Sequence, residues 1–269
     1  MPQGYAGLAK QRANSQQIAV TDQDAVAASS QFGAGRFGSL HIVEVDRRTP
    51  DRFDVSRYGR ISIPHRGAYP LFKRAFDIVG ASSAIVVLSP LLVTIGACAY
   101  ASGGSPLFRH RRVGRGGVFF DCFKFRTMVT DADTVLQNLL DSDRQIKEEW
   151  LRDHKLRDDP RITRFGRFLR RTSLDELPQL WNVLRGEMSL VGPRPVVPDE
   201  LRRYGKKVAT FLSARPGITG LWQISGRNNT DYRRRVALDV CYVRSKSALL
   251  DVYILVKTLR VVFTTSGAY

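Results

Sequence analysis

The sequence predicts a mostly helical fold of the α+β class, held at a membrane by one N-terminal apolar segment. Residues 78–101 form a long stretch without a single charged side chain. Apolar positions recur at helical spacing through 131–156 and 231–263, whereas the alternation typical of a strand covers only 118–126 and a short run at 40–45. Helices should therefore predominate, and one of them is apolar enough to enter a lipid bilayer.

The composition points to an anionic partner. The chain has 42 Lys and Arg residues against 25 Asp and Glu residues, which gives a formal net charge of +17. Such an excess suits nucleic acid, lipid headgroups or a phosphorylated substrate. The 3 cysteines and 4 histidines are not spaced like metal ligands, which argues against a zinc site, and the cysteine pattern suits a reducing compartment.

Three regions follow one another along the chain. Residues 1–66 are rich in Gln, Ala, Ser, Gly and Arg, so they are predicted to be a mostly disordered tail in which only 40–45 alternates like a strand. Residues 67–108 contain the apolar helix and its flanks, and residues 109–269 are predicted to form a cytosolic domain. The last helix of that domain, 249–263, fits either the membrane interface or a position packed on the core.

The apolar segment is interrupted near its middle by Ser89 and Pro90. As a straight helix its roughly 24 residues would extend about 36 Å, enough to cross a bilayer. Proline removes one helix hydrogen bond and bends the helix. Basic residues flank both ends, which fits poorly with ends on opposite sides of a membrane: Lys73, Arg74, Arg109, Arg111, Arg112 and Arg115. Three placements stay open: a re-entrant hairpin bent at Ser89 and Pro90, a kinked spanning helix and a buried core helix.

Two adjacent carboxylates, Asp175 and Glu176, are the strongest candidates for chemistry. They lie in an arginine-rich region, so neighbouring cations are expected to keep them ionised. An ionised aspartate among phosphate-binding groups can attack phosphorus or hold a divalent metal. The structural alternative is a capping box formed by Ser173 and Glu176, with a helix that begins near Asp175 because Pro178 is tolerated only in a first turn.

Several basic and aromatic residues accompany the two carboxylates. A strand at 118–126 would place Lys124 and Arg126 on one side. Arg194 lies between two prolines, whose fixed backbone suits an anion clamp or an exposed rigid turn. Trp222 follows a glycine-rich turn and could stack on a base or sugar, meet lipid, or pack in the core. Arginines at every third position predict one ridge along a helix: Arg161, Arg164, Arg167 and Arg170.

Several short motifs, taken together, resemble those of one family. In chain order they are Lys73-Arg74-x-Phe76-Asp77, Ser89-Pro90, Phe123 to Arg126, Asp159 to Thr163, Ser173 to Pro178, Ser189 to Pro195 and Arg215 to Gly220. In these motifs the chain resembles the bacterial sugar transferases, the monotopic polyprenyl-phosphate hexose-1-phosphate transferases that start exopolysaccharide or O-antigen assembly. The likeness covers 70–269 and is closest in length to the short form of the family, which lacks the additional membrane domain of larger members.

The resemblance implies a role for each matching residue. Asp175 would attack the β-phosphorus of a UDP-sugar, releasing UMP and forming a covalent phosphosugar intermediate that undecaprenyl phosphate then attacks. Glu176, together with Asp175, would hold Mg²⁺. The resemblance also implies re-entrant placement of the apolar helix at the cytoplasmic face of the bacterial inner membrane, with the break at Ser89 and Pro90. The candidate phosphate contacts are Lys124, Arg126, Arg170, Arg171, Arg194 and Arg227.

The implied partners are a UDP-hexose, undecaprenyl phosphate and the cytoplasmic leaflet, with downstream glycosyltransferases as further candidates. Two other interpretations stay open: one-step transfer through a ternary complex with Asp175 acting only on the metal, and a non-catalytic assembly scaffold. A membrane-anchored nucleic-acid-binding protein would suit the charge, but the usual nucleic-acid motifs do not occur, so nucleic acid is not expected. Residues 220–223 resemble those of enzymes that take UDP-glucose or UDP-galactose.

Overall fold

A computed structural model describes residues 52–58, 61, 68–153, 156, 158–226 and 231–264 of the chain. Most of the predicted tail, including the strand expected at 40–45, lies outside these residues, as does Arg227. The described part of the tail contacts the domain, because the Phe53 N–H donates to the Gly117 carbonyl at 2.7 Å. Ser56–Tyr58 then forms one 3₁₀ turn.

Helix α1 (Ala68–Ala101) contains the apolar segment and is 34 residues long. At 1.5 Å per residue it extends about 51 Å. It continues as one α-helix through Pro90, the position of the predicted break. Pro90 cannot donate to the carbonyl of Val86, and the Ser89 hydroxyl donates to that carbonyl instead, at 2.8 Å. A side-chain bond therefore replaces the missing backbone bond and allows the helix to continue.

One face of α1 packs on the domain, and the rest of its surface is exposed and apolar. Ala81, Ile95 and Ala99 are buried. Within the span Tyr69–Ala101, only 11% of the most apolar 18-residue stretch is buried inside the protein. The alternative of a buried core helix is therefore wrong. The exposed apolar side chains of this helix include Leu71, Phe72, Val79, Val86, Val87 and Val93.

Strands β1 (Leu107–Val113) and β2 (Phe119–Phe125) form an antiparallel hairpin. The register places Phe108 opposite Lys124 and Arg112 opposite Phe120, so alternate side chains of β1 share a face with Lys124. Strand β2 confirms the strand predicted at 118–126. Strand β1 was not predicted, because its basic residues follow one another without the alternation of a half-buried strand.

The single helix predicted for 131–156 is wrong, because two helices, α2 (Ala132–Ser142) and α3 (Arg144–Asp153), occupy this region. Asp143 between them has an extended backbone, with φ −131° and ψ 113°. Its carboxylate accepts from the backbone N–H groups of Gln145 at 2.7 Å and Ile146 at 3.2 Å. Aspartate thus ends one helix and caps the next, which is the ordinary preference of this residue.

The arginine ridge predicted along one helix is also wrong. Helix α4 begins only at Arg164 and ends at Thr172, and the Thr163 side chain caps it by accepting from the Gly166 N–H at 2.8 Å. Arg161 lies before the helix, where its guanidinium forms a buried ion pair with Asp159 at 2.7 Å. The regular spacing of arginines therefore begins in a turn, and its members face different surroundings.

Helix α5 (Gln179–Arg185) connects α1 to the hairpin. The Arg74 side chain donates to the carbonyls of Val183 and Leu184 at 2.6 and 2.8 Å, near the C-terminus of α5, where a cation is favourable. On its other side, α5 bonds to the backbone of β2 through the buried Asn182. These contacts fix α5, and the residues that precede it, between α1 and β2.

The other strands and α-helices of the described residues are two short parallel strands, β3 (Ser189–Val191) and β4 (Gly217–Thr219), and four helices. The helices are α6 (Pro198–Arg202), α7 (Val208–Leu212), α8 (Tyr232–Ser245) and α9 (Ala248–Thr264).

Of the two alternatives predicted for the last helix, packing on the core is confirmed for one face of α9, and placement at the membrane interface stays a prediction. Ile254 is fully buried among apolar side chains of the core. Leu249 is 84% exposed, and Val252, Val256 and Leu259 are exposed as well. Helix α9 therefore packs on the core through one face and presents apolar side chains on another.

Candidate active site

Asp175 and Glu176 lie in a 3₁₀ turn, Leu174–Glu176, between α4 and α5. Ser173, at the start of the turn, has a φ of +59° and is the only residue other than glycine with a positive φ in the described part of the chain. Such a conformation costs about 1–3 kcal/mol and concentrates at functional sites. The Ser173 side chain makes no capping bond, and α5 begins only at Gln179, so the predicted capping box is wrong.

One lysine contacts both carboxylates. The Lys124 Nζ lies 2.7 Å from Glu176 Oε1 and 3.9 Å from Asp175 Oδ2. Asp175 is only 7% exposed, whereas Glu176 and Lys124 are half-buried. Lys124 of strand β2 thus contacts a turn that lies about fifty positions later in the chain.

Burial decides the ionisation of Asp175. It raises the pKa of this carboxyl from 3.8 to about 6, against the opposing effects of Lys124 and Arg170 and with some help from Glu176. The expectation that neighbouring cations alone keep the carboxylate ionised therefore underestimated desolvation. A group with a pKa near 6 is still about 90% ionised at pH 7. Burial disfavours the charge on Lys124, but Glu176 and Asp175 outweigh it and raise the lysine pKa, so the cation persists.

A cavity of about 60 Å³ adjoins the turn. Glu176 and Lys124 line it on one side, and Arg194, Trp222 and Gln223 line it as well. Three buried polar atoms without a partner in the described residues belong to side chains that line this cavity, namely Arg194 Nε, Trp222 Nε1 and Gln223 Oε1. Each unpaired buried group costs about 1–3 kcal/mol, so the cluster indicates a place where a polar ligand binds.

Trp222 is a support for guanidinium groups. The Cζ atoms of Arg194 and Arg235 lie 5.1 and 4.2 Å from the centre of its ring, and the residue is only 3% exposed. The interpretations of Trp222 as a stacking surface for a sugar or as a lipid contact are therefore wrong. The backbone N–H of Arg194 donates to Asp239 Oδ1 at 3.3 Å, so this arginine is held from its main chain and from its side chain.

The other predicted phosphate contacts lie in different surroundings. The Arg126 side chain donates to the Ala99 carbonyl at 2.8 Å and so caps the C-terminal turn of α1. The Arg170 Nε donates to Thr127 Oγ1 at 2.9 Å, and the charge of Arg170 also acts on Asp175. Arg171 is exposed. The structure thus brings Lys124 and Arg194 to the cavity beside Glu176, and it places Arg126 at a helix end.

Sequence reasoning missed Arg112, Gln179 and Gln223, which line the same cavity. The Arg112 guanidinium lies 3.4 Å from Glu200 Oε2 and 3.2 Å from His110 Nδ1. Burial, with the charges of Arg112 and Lys124, lowers the pKa of His110 to about 4, so this histidine is neutral. Recognising β1 as the partner of β2 would have revealed Arg112, because alternate β1 side chains share the face of Lys124.

The two carboxylates fit a Mg²⁺ ion that shares its coordination with a substrate. Among the residues that the structure describes, no group of three or more His, Cys, Asp or Glu side chains is placed to hold a metal. Mg²⁺ usually takes one or two carboxylates and completes its shell with water and substrate phosphates. Glu176 lines the cavity, Asp175 precedes it in the same turn without lining the cavity itself, and the lining arginines suit a diphosphate.

Comparison with known proteins places this site in a family. The family model of the bacterial sugar transferases matches residues 68–265. A UDP-galactose-lipid carrier transferase of Erwinia amylovora is 53% identical over 197 residues, which cover 73% of this chain and 41% of that protein. An undecaprenyl-phosphate galactose phosphotransferase of Salmonella typhimurium is 51% identical, with the same coverage. The chain thus spans about two fifths of the length of these relatives.

A shorter relative matches over most of its length. The exopolysaccharide production protein ExoY of Sinorhizobium fredii is 50% identical over 198 residues, which cover 73% of this chain and 88% of that protein. The matched region contains α1, the hairpin, the turn with Asp175 and Glu176, and the cavity beside it. On this similarity, the chain belongs to the bacterial sugar transferase family.

Proposed function

We propose that the chain transfers a hexose-1-phosphate from a UDP-hexose to undecaprenyl phosphate and releases UMP. This would be the first membrane step of exopolysaccharide, O-antigen or capsule synthesis. The observation that carries the proposal is the buried Asp175, in one turn with Glu176 and beside Lys124, next to a cavity lined by Arg112 and Arg194. The names of the Erwinia and Salmonella relatives, which refer to lipid-carrier and undecaprenyl-phosphate transfer, support the substrate classes.

The proposed reaction has two steps. In the first, a carboxylate oxygen of Asp175 attacks the β-phosphorus of the UDP-hexose, and the bond from that phosphorus to the bridging oxygen breaks, so UMP leaves with the oxygen. In the second, a phosphate oxygen of undecaprenyl phosphate attacks the same phosphorus, and the bond to Asp175 breaks. The carboxylate is regenerated, and no proton has to move because both attacking oxygens are anionic. Dividing the transfer in this way replaces one hard step by two easier ones.

The cations around the cavity would bind the diphosphate. Lys124 is already beside both carboxylates, and Arg194 and Arg112 line the cavity that Glu176 shares. Arginine suits this role because its planar guanidinium matches phosphate oxygens in pairs. A Mg²⁺ ion held by Glu176 and Asp175 would neutralise charge on the diphosphate.

We further propose that α1 is re-entrant and keeps both ends on the cytoplasmic side of the inner membrane. Before Pro90, Asp77 of α1 accepts from the Leu190 N–H at 3.0 Å. After Pro90, Ile95 packs with Phe125 and Leu169 of the same domain. A helix that crossed the bilayer would carry its two ends to opposite sides, away from a single domain. The exposed apolar face of α1 would then lie in the cytoplasmic leaflet.

Labelling of single cysteines tests this placement. Cysteines introduced at Lys73 and Arg109, in a background without the exposed Cys98 and Cys241, should both be protected from an impermeant thiol reagent in intact cells. Both should react after the membrane is opened. Labelling of one position alone from outside would contradict re-entrant placement.

Trapping of the intermediate tests the reaction. Purified protein incubated with a UDP-hexose labelled in the β-phosphate, without lipid acceptor, should retain label and release UMP. Asp175→Asn should lose both by at least about 10³-fold, since nucleophile removal in covalent enzymes costs this much or more. The exposed Asp199→Asn is the matched control and should retain both. A panel of UDP-sugars in the same assay identifies the hexose.

Three outcomes separate the alternatives. UMP release only after lipid acceptor is added, with no label on the protein, would support one-step transfer and exclude the covalent step. Full UMP release by Asp175→Asn would exclude any essential role for this carboxylate. Absence of UMP release from the unaltered protein with every UDP-sugar would favour an assembly scaffold.

A further inference from the structure

A second cavity of about 60 Å³ lies at the base of α1, and it shares no lining residue with the cavity beside Glu176. The first turns of α1, the segment before β4 and the junction between α8 and α9 surround it. Its charged and phenolic lining residues are Tyr69, Lys73, Asp77, Arg115, Arg215, Tyr242 and Lys246. More cationic side chains line this cavity than line the cavity beside Glu176. The proposed reaction does not use this second cavity.

The acidic groups at this cavity are engaged through all but one of their oxygens, since only Asp77 Oδ2 has no partner in the described residues. The Lys73 Nζ lies 3.4 Å from Asp77 Oδ1 and 3.2 Å from Asp251 Oδ2. Asp251 also accepts from the hydroxyls of Tyr69 at 2.9 Å and Tyr242 at 2.7 Å. Asp77 Oδ1 accepts in addition from the backbone of β3. Lys73 is therefore neutralised by two carboxylates, and those carboxylates are bonded to several donors.

Three cations at the cavity lack a carboxylate partner. In the described part of the chain, no carboxylate oxygen lies within 4.0 Å of the charged groups of Arg115, Arg215 or Lys246. The Arg215 Nε donates to the Gly186 carbonyl at 2.7 Å, which orients its guanidinium without neutralising it. All three residues are half-buried, so water screens their charges only in part.

These cations repel one another. Burial lowers the pKa of both Arg215 and Lys246, and the charge of Arg115 lowers both further; Asp77 raises the pKa of Arg215 and Asp251 that of Lys246, but neither reverses the shift. Like charges held together at partial burial are unfavourable unless a counterion joins them. An anion in the cavity would remove this repulsion, and a phosphate group has enough oxygens to accept from all three side chains.

The surroundings indicate where such a phosphate comes from. Leu71 and Phe72 are exposed on the first turns of α1, on a face of the helix other than the one that lines the cavity. Leu249, three residues after Lys246, is exposed as well. Both helices that border the cavity therefore carry exposed apolar side chains, so a lipid whose phosphate binds in the cavity would find apolar surface for its acyl chains on the same two helices.

We propose a second phosphate site, separate from the catalytic cavity, in which Arg115, Arg215 and Lys246 bind the phosphate of a membrane lipid headgroup. Its occupant anchors the first turns of α1 to the junction of α8 and α9. The site does not depend on the proposed transferase activity, since none of its residues contacts Asp175 or Glu176 in the described structure.

Titration of the full chain in detergent with dioctanoyl phosphatidylglycerol tests the site, with bound lipid counted by native mass spectrometry. One lipid should be retained per chain. The double variant Arg115→Gln/Lys246→Gln should weaken this binding about 25-fold, from about fivefold for each basic residue near a lipid phosphate. The matched control Arg234→Gln/Arg244→Gln removes the same charge from exposed positions of α8 and should change the affinity less than about twofold.

Two further measurements keep the outcome unambiguous. The variant Arg115→Lys/Lys246→Arg preserves both charges and should retain the lipid, which separates loss of charge from loss of fold. UMP release by the Gln variant in detergent should equal that of the unaltered protein. Equal losses in the Gln variant and its control would mean diffuse attraction and overturn the proposal. Inorganic phosphate that binds as tightly as the lipid and displaces it would overturn the lipid assignment.

Discussion

Asn182 joins α5, the helix that follows the turn with Asp175 and Glu176, to the strand that carries Lys124, so its replacement should loosen this candidate site. The residue is completely buried. Its Oδ1 accepts from the Phe123 N–H at 3.0 Å, and its Nδ2 donates to the Asp121 carbonyl at 2.7 Å and to Glu187 Oε2 at 2.6 Å. The first two bonds pair backbone groups of β2 on the edge of the strand that faces away from β1.

Asn182→Ala removes all three bonds at once. It leaves the Phe123 N–H and the Asp121 carbonyl without their partner, and each such group costs about 1–3 kcal/mol when buried. Allowing for partial relaxation, we expect a loss of about 3 kcal/mol in the free energy of opening between α5 and β2. At 1.4 kcal/mol for each factor of ten, the open form should become roughly 100-fold more populated.

Cys122, in the same stretch of β2, provides the assay. It is 1% exposed, and burial raises the pKa of its thiol to about 11, so it should react with an alkylating reagent only when this region opens. The sequence contains only 3 cysteines, so replacing Cys98 and Cys241 with serine isolates this signal. The alkylation rate of Cys122 should rise roughly 100-fold in Asn182→Ala.

Asn138→Ala is the matched control, because Asn138 is exposed on α2. It removes the same side chain without a buried bond and should leave the alkylation rate of Cys122 within about twofold of the unaltered rate. If Asn182→Ala reacts no faster than this control, the three bonds do not hold α5 against β2, and the reasoning is refuted.

Three further predictions concern the site and its supports. Burial raises the folded-state pKa of Asp175 from 3.8 to about 6, so its favourable contribution is complete below pH 4 and is lost as the pH rises through 6. Asp175→Asn in EDTA should therefore match the unaltered protein in denaturant unfolding at pH 4 and exceed it by roughly 3 kcal/mol at pH 7.5. Arg126→Gln should lower the melting temperature, through loss of the bond to Ala99, while the KM for UDP-hexose stays unchanged; a raised KM would show a phosphate contact. Gly166→Ala would force a Cβ into the backbone of Thr127, so we expect loss of cooperative unfolding by circular dichroism, and a stable variant would contradict the packing of α4.

Several features of the fold could be predicted because they depend on short stretches of chain. The apolar helix is evident from the uncharged residues 78–101, and β2 from the alternation around Lys124. The pair Asp175 and Glu176 was recognised because both carboxylates lie in one short motif. Periodicity and local motifs of this kind involve neighbours in the chain, so no knowledge of packing is needed to read them.

Other features depended on residues that meet only after folding. Arg126 was predicted to bind phosphate, yet it caps α1 because the hairpin brings it to the Ala99 carbonyl. Three interpretations of Trp222 stayed open from the sequence. The structure shows that its ring is covered by two arginine side chains and packs inside the protein. Neither contact can be predicted from neighbours in the chain, because each joins two separate elements of the fold.

The ionisation of Asp175 illustrates the same division most clearly. The basic sequence around it predicted a carboxylate stabilised by cations, whereas the folded chain buries the group and moves its pKa upward. Composition specifies which charges are available, but the desolvation of a particular oxygen depends on all the elements packed around it. Pattern was therefore sufficient to find Asp175, Glu176, Lys124 and Arg194, whereas the protonation of Asp175, the partners of these groups and the place of Arg112 beside them depended on packing.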